Sequence, residues 1–300
     1  EMCIRDRFLA YSFFVICLFP FVSGNNNYAE ISAFMSVGDW GGTALDEQHT
    51  INALSVAKQM IIDNDIQPYD VPYEFVLNTG DNFYYCGIQN VSDYQVKRDF
   101  GDSFHDLYLP WYNSLGNHDY GYNVSAQIDL SNYIEYWNMP DRYYHKTITF
   151  DKTYPERKME LFVLDTTPCI KDYRENDPHK WDPCGTNYPT CKINSEDDDW
   201  FEGKCKFHEN VLSQDCEKQF HWFERKITKY TTEDLIVVIG HNPAYEINVD
   251  SRYMKLLNET FVDLYLNGHV HLLGAYDLNP YSETTKFITT GAGSMVNINL

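Results

Sequence analysis

Five short segments, far apart in the chain, each place metal-ligating side chains directly behind a glycine. They are GDWG (Gly38–Gly41), GDNFY (Gly80–Tyr84), GNHD (Gly116–Asp119), GHN (Gly240–Asn242) and GHVH (Gly268–His271). Together they offer Asp39, Asp81, Tyr84, Asn117, His241, His269 and His271. Carboxylate and phenolate oxygens suit a hard trivalent cation such as ferric iron, whereas imidazole and amide donors suit divalent zinc, iron or manganese. The mixture therefore reads as a site for two adjacent cations sharing one carboxylate, with Asp81, central in the series, as the bridge. Two cations about 3.5–4 Å apart clamp the attacking and leaving oxygens of a phosphoryl displacement and lower the pKa of bound water.

Taken singly, each residue has an ordinary explanation. Asp39 and Asp81 next to glycine are common turn formers, and Asn117 could cap a helix. Tyr84 is one of 24 tyrosines, and a lone histidine after a strand, as His241 would be, is usually a satisfied core residue. His269 and His271 resist such a reading, because two imidazoles side by side with no anion would lose charge and stability. Five motifs in order, all carrying donors, make one metal site the better account.

The elements that must position these residues are legible as apolar runs. Ile31–Val37, Trp111–Leu115, Leu235–Ile239 and Phe261–Leu266 read as strands leading into four of the motifs; Tyr73–Leu77 ends a few residues before the remaining one, GDNFY. Arg142–Phe150 and Met159–Leu164 suggest two neighbouring strands. Ile51, Leu54, Ala57 and Ile61 are spaced as one apolar helix face, and further helices are expected near Asp93–Leu107, Cys216–Tyr230 and Arg252–Asn258. This alternation predicts an α/β or layered α+β domain, with a site where loops converge at the carboxyl ends of the strands. The leading glycines fit sharp turns, often with φ > 0, that aim the next side chain inward.

Bulk properties narrow the chemistry. The chain has 300 residues and 43% hydrophobic content with no composition break, which favours a single domain. Its formal net charge of −21 repels phosphate backbones, so nucleic acid is excluded as a partner and an anionic substrate needs a local positive centre. Residues 8–22 are an apolar run behind Arg5 and Arg7 and ahead of Ser23-Gly24-Asn25, the layout of a secretory signal peptide. Residues 1–7 read as a foreign scar, so 1–24 are set apart and 25–300 taken as the domain. Without residues 1–24 six cysteines remain (Cys86, Cys169, Cys184, Cys191, Cys205 and Cys216), an even number that favours disulfides in an exported chain; fifteen pairings stay open. Sequons at Asn90, Asn123 and Asn258 fit glycosylation in that pathway. The expected destination is extracellular or lysosomal/vacuolar.

The chain resembles the purple acid phosphatases within the calcineurin-like metallophosphoesterases, in particular the small, mammalian-type, tartrate-resistant enzymes. The resemblance spans Ile31 to Met295 and is densest at VGDWGG, GDNFY, WYNSLGNHDYGYNVSAQI, LDTTPC, GHNP, GHVHLLGAY and TTGAGSM. It implies a layered α-β-β-α fold of two packed mixed sheets flanked by helices, with the site at one sheet edge. By the same resemblance Asp39, Tyr84 and His271 would hold ferric iron, with Asp81 bridging. Asn117, His241 and His269 would hold a divalent iron, zinc or manganese. His118 would bind substrate phosphate and protonate the leaving alkoxide, while a metal-held hydroxide attacks in line. The implied activity is acid hydrolysis of small phosphomonoesters or phosphoproteins; the Tyr84 phenolate would give a purple colour and argues against a phosphodiesterase.

Three features depart from that pattern. Asp250 stands where the family has a second outer-sphere histidine, nine residues after His241, and a carboxylate donates to phosphate only when protonated. Residues 169–216 form a longer, cysteine-rich counterpart of an exposed loop over the site, either a stapled lid or a surface insertion. The chain ends at Leu300, before further strands that the family carries, so a C-terminal continuation is expected. Membrane contact is expected only if the N-terminal run is retained or an anchor follows Leu300. The alternative to an enzyme is a catalytically weak or inactive phosphatase-fold membrane anchor or binding protein.

Overall fold

The structure is a computed structural model that describes residues 15–22, 29–42, 47–66, 72–150, 158–175, 205–231, 234–247, 252–276 and 285–296. Five strands form one sheet: β1 (Val15–Val22), β2 (Ala29–Val37), β3 (Tyr73–Asn78), β4 (Trp111–Asn113) and β5 (Trp137–Asn138), in that order. β1 runs antiparallel to β2 and the other pairings are parallel. Six strands form the second: β6 (Tyr144–Thr149), β7 (Lys158–Val163), β8 (Leu235–Ile239), β9 (Leu264–Asn267), β10 (Leu273–Tyr276) and β11 (Lys286–Thr290). Their order is β10-β11-β9-β8-β7-β6, a parallel centre closed at each edge by an antiparallel strand.

Strand side chains alternate between two cores, as a pleat with both faces covered requires. Phe34, Phe75 and Leu77 from the first sheet meet Met159, Leu161, Val163, Val237, Ile239, Leu264 and Leu266 from the second in one buried cluster between the sheets. Their neighbours Met35, Val37 and Val76 turn outward onto α1 (Glu47–Ile66), and Phe162, Ile236 and Val238 join α2 (Cys216–Ile227) and α3 (Arg252–Glu259) in a second cluster. The result is the layered α/β arrangement expected, with two mixed sheets between helices.

The elements differ from the sequence reading in several places. α1 buries Ala53, Val56, Ala57 and Met60, whereas Ile51 and Leu54 are 50% and 46% exposed and Ile61 is only partly buried. Apolar residues surround much of this helix, so two overlapping stripes satisfy the 3.6-residue period, and packing against β2 selects the one with smaller side chains. The helix expected over Asp93–Leu107 contracts to a π-helical turn, Val96–Gly101, whose Phe100 is buried and is followed by buried Phe104. The strand expected to run to Leu115 ends at Asn113, so Gly116 follows two further residues rather than directly.

Val15–Val22, from the run read as a leader, is the edge strand β1. Cys169 and Cys216 form a disulfide across a sequence separation of 47. Cys86 and Cys205 are also disulfide-bonded and share one small cluster with Tyr122. Cys184 and Cys191, the centre of the cysteine-rich excursion, and Asp250 lie outside the described residues.

Candidate metal centre

The five motifs converge beyond the carboxyl ends of β2, β3 and β4 in one sheet and β8 and β9 in the other. The sheets are tied together there: Gly38 N–H donates to Thr290 O at 2.9 Å, Gly293 N–H returns to Gly38 O at 3.0 Å, and the Thr79 and Thr290 hydroxyls lie 3.0 Å apart. The sharp turns fall on the ligating residues themselves. Asp39, Asp81 and His269 have φ of 58°, 53° and 67°, a left-handed backbone that costs a non-glycine residue energy and concentrates at functional sites. Of the five leading glycines, Gly80 alone has positive φ, which corrects the turn argument. Elsewhere the requirement is closeness: a Cβ on Gly116 would stand 2.1 Å from Asp81 Oδ1, and one on Gly268 would stand 2.3 Å from Asp39 Oδ2.

All seven predicted donors meet, in two groups that share Asp81. In the first, Tyr84 Oη lies 3.1 Å from Asp39 Oδ1, 3.0 Å from Asp81 Oδ2 and 3.1 Å from His271 Nε2, and His271 Nε2 is 3.2 Å from Asp39 Oδ1. In the second, Asn117 Oδ1 lies 2.8 Å from His241 Nε2 and 2.9 Å from His269 Nδ1, and His241 Nε2 is 3.4 Å from Asp81 Oδ1. The two carboxylate oxygens of Asp81 thus face different groups. Donors about 2.1 Å from a common cation, at right angles to each other, stand about 3.0 Å apart, so this spacing fits a cation pair. Asp39, Asp81 and His271 by themselves offer ligand atoms within 4.8 Å of one another.

Electrostatics point the same way. Burial, then the Asp39 and Asp81 carboxylates, push the Tyr84 phenol well above its ordinary range, so only a strong positive partner would ionise it. Burial works against ionised Asp81, yet the imidazoles of His241 and His118, the His118 N–H and His269 outweigh it and hold that carboxyl low. Burial, then His241, drive His269 down to about 3, which keeps its ring neutral and able to ligate. His241 Nδ1 donates to Thr79 O at 2.9 Å, which leaves Nε2 as the inward lone pair.

His118 also reaches the centre. Its Nδ1 donates to Tyr85 O at 2.7 Å, its ring packs edge-on against Tyr84 with centroids 4.4 Å apart, and its Nε2 lies 4.0 Å from Asp81 Oδ2. Burial lowers its pKa in the first place, against the pull of Asp81.

Residues behind the donors escaped the sequence reading, although most lie inside its motifs. Asp119 accepts from the N–H groups of Gly116 (2.7 Å), Asn82 (3.0 Å) and Phe83 (3.2 Å) and from Gln127 Nε2 (2.8 Å), so one carboxylate joins the second and third motifs. Asn78 Oδ1 accepts from Trp40 Nε1, and its amide donates to Asn82 and Asn113. Trp40, 1% exposed, packs edge-on against Phe83, Phe104, Trp111 and Trp137, which anchors the backbone next to Asp39. The LDTTPC and TTGAGSM segments also back the donors: Thr166 Oγ1 accepts from the N–H groups of His241 and Asn242, and Ser294 Oγ donates to Asp39 O.

Residues 33–273 match the sequence signature of the calcineurin-like phosphoesterases. The chain is 31% identical over 259 residues to tartrate-resistant acid phosphatase type 5 of Oryctolagus cuniculus, covering 80% of this chain and 67% of that one. It is 30% identical over 250 residues to the Homo sapiens protein of that name, with the same coverage. With purple acid phosphatase 17 of Arabidopsis thaliana it shares 27% identity over 278 residues, covering 87% and 68% of the two chains. Among solved structures it is similar in fold to the GAP50 anchor in the inner membrane complex of Plasmodium, with a TM-score of 0.56 at 21% identity over 87% of this chain and 71% of that one.

Proposed function

Because the chain belongs to the calcineurin-like phosphoesterase family, we propose that it is an exported acid phosphatase that hydrolyses phosphomonoesters at a binuclear centre of ferric iron and a divalent iron, zinc or manganese. The observation that carries this reading is the convergence of seven donors in two groups joined by the two oxygens of Asp81. Asp39, Tyr84, His271 and Asp81 would hold the trivalent ion, and Asn117, His241, His269 and Asp81 the divalent one. Such a pair supplies activation of water and neutralisation of the charge that builds on a phosphoryl group.

The chain's own residues do the rest. Asp119 and Trp40 fix the loops, so the donors need not reorganise when substrate arrives. His118, 14% exposed at its side chain, stands at the mouth with Nδ1 committed to a carbonyl, leaving Nε2 to contact the phosphate and hand a proton to the leaving alkoxide. Export is supported by disulfide-bonded cysteines, which persist in oxidising compartments, and by exposed sequon residues Asn90 and Asn123. Among the described residues no helix is long and apolar enough to cross a membrane.

Purified protein is expected to carry iron and a second metal, to absorb visible light, and to hydrolyse p-nitrophenyl phosphate at pH 5. His271→Ala should abolish both the turnover and the visible band. A colourless, iron-free protein, or a fully active His271→Ala variant, would overturn the assignment.

A further inference from the structure

We propose that Glu246, outside the seven-donor set, supplies the negative charge that lets the Asn117–His241–His269 half of the centre retain a divalent cation; this rests on the two-cation reading of the site. The two halves differ in charge. The first has the Asp39 carboxylate and the Tyr84 phenol besides one oxygen of Asp81. The second has a neutral amide oxygen and two imidazoles, and only the other Asp81 oxygen as a charged donor. Among the described residues, Glu246 is the carboxylate that contacts this second half without also facing the first: its Oε2 lies 3.4 Å from His269 Nε2.

The orientation of His269 fits that role. Its Nδ1 faces Asn117 Oδ1 at 2.9 Å, so the nitrogen toward Glu246 is the outward one. A distance of 3.4 Å is long for a hydrogen bond, so the contribution is charge more than direction. Glu246 is held in place by the loop that delivers His241. Asn242 Nδ2 donates to its Oε2 at 3.3 Å, Thr166 Oγ1 donates to Asn242 Oδ1 at 3.0 Å, and the same hydroxyl receives the N–H of His241. Asn242 and Thr166 are fully buried, so this line of contacts is rigid up to the rim, where the Glu246 and His269 side chains are 30% and 25% exposed. His241 is backed differently, by the Thr79 carbonyl. Carboxylates behind ligating imidazoles raise ligand basicity, and their loss costs about 10–100-fold in metal affinity.

The test loads wild type, Glu246→Gln and Glu246→Ala with iron and zinc, then titrates each with a chelator. Metal per chain and the visible band are read at each step. Both variants should release zinc at about 10–100-fold lower chelator concentration than wild type while keeping iron and the band. Zinc retention equal to wild type in both variants would overturn the proposal, as would weakening in Glu246→Ala but not in Glu246→Gln, since packing rather than charge would then be the cause. A wild type that takes up no pair of ions would instead sink the two-cation reading, and this inference with it.

Discussion

At the scale of single residues, His118 makes a claim that separates chemistry from scaffolding. A proton donor matters most when the leaving group is a poor one, because a stable anion departs without help. p-Nitrophenolate is stable; a simple alkoxide is not. His118→Ala should therefore retain both metal ions and lose about 10²–10⁴-fold in turnover of an alkyl phosphate, with a distinctly smaller loss on p-nitrophenyl phosphate. Equal losses on both substrates would reduce His118 to binding phosphate. The donors themselves were readable because metal chemistry restricts residue type, and Asp39, Asp81, Asn117, His241 and His269 each directly follow a glycine; at Gly116 the neighbouring atoms require one, leaving no space for a Cβ against Asp81. Asp119, Asn78 and Thr166 were not readable. Buried polar residues that hydrogen-bond backbone N–H groups carry no type signature that separates them from turn formers, and only the fold brings Asp119 to the Asn82 and Phe83 N–H groups.

At the scale of elements, strands were more legible than helices. Leu235–Ile239 is bounded as its β-branched run predicts, because a strand covered on both faces reads as a near-continuous apolar run. α1 was located, but of its expected face only Ala57 is fully buried, since Ile51 and Leu54 obey the same period as Val56 and Met60. The Cys169–Cys216 bond was one of fifteen pairings, and no sequence rule selects it. It joins the segment after β7 to the first turn of α2, where Gln219 donates to Asp165 O and accepts from Asp165 N–H. Closing a 47-residue loop removes unfolded-chain entropy worth about 4 kcal/mol in the loop-closure account. The paired Cys169→Ser, Cys216→Ser variant should therefore unfold at clearly lower denaturant, by roughly that free energy, with its metal content unchanged before the transition. An unshifted midpoint would mean that the helix and strand are held equally well without the bond.

At the scale of the whole molecule, the charge balance ties stability to acid. The chain carries a net −21, so each proton gained relieves repulsion within the fold. Burial, its main cause, raises Asp99 to about 6 and both Asp119 and Asp165 to about 7, from ordinary values near 3.8. A carboxyl whose folded pKa is raised holds its proton longer in the folded state than in the unfolded one. Its contribution is complete below the ordinary carboxylate range and is lost as pH climbs through about 6–7. His118 and His269, both shifted down, act in the opposite sense below their ordinary value of 6.5. Asp165 separates the two effects, because it is fully buried and its Oδ1 has no hydrogen-bond partner among the described residues, while Oδ2 accepts from Tyr120 at 2.5 Å. Asp165→Asn keeps an acceptor for Tyr120 and removes the titration. Relative to this variant, wild type should lose stability progressively between pH 4 and pH 7, up to on the order of 4 kcal/mol for a shift of about three pH units. Melting temperatures of the pair measured across that range decide it: a constant difference would show that Asp165 binds the same number of protons folded and unfolded, so that its folded pKa is not raised, and a difference that grows in favour of wild type with rising pH would reverse the sign of the argument.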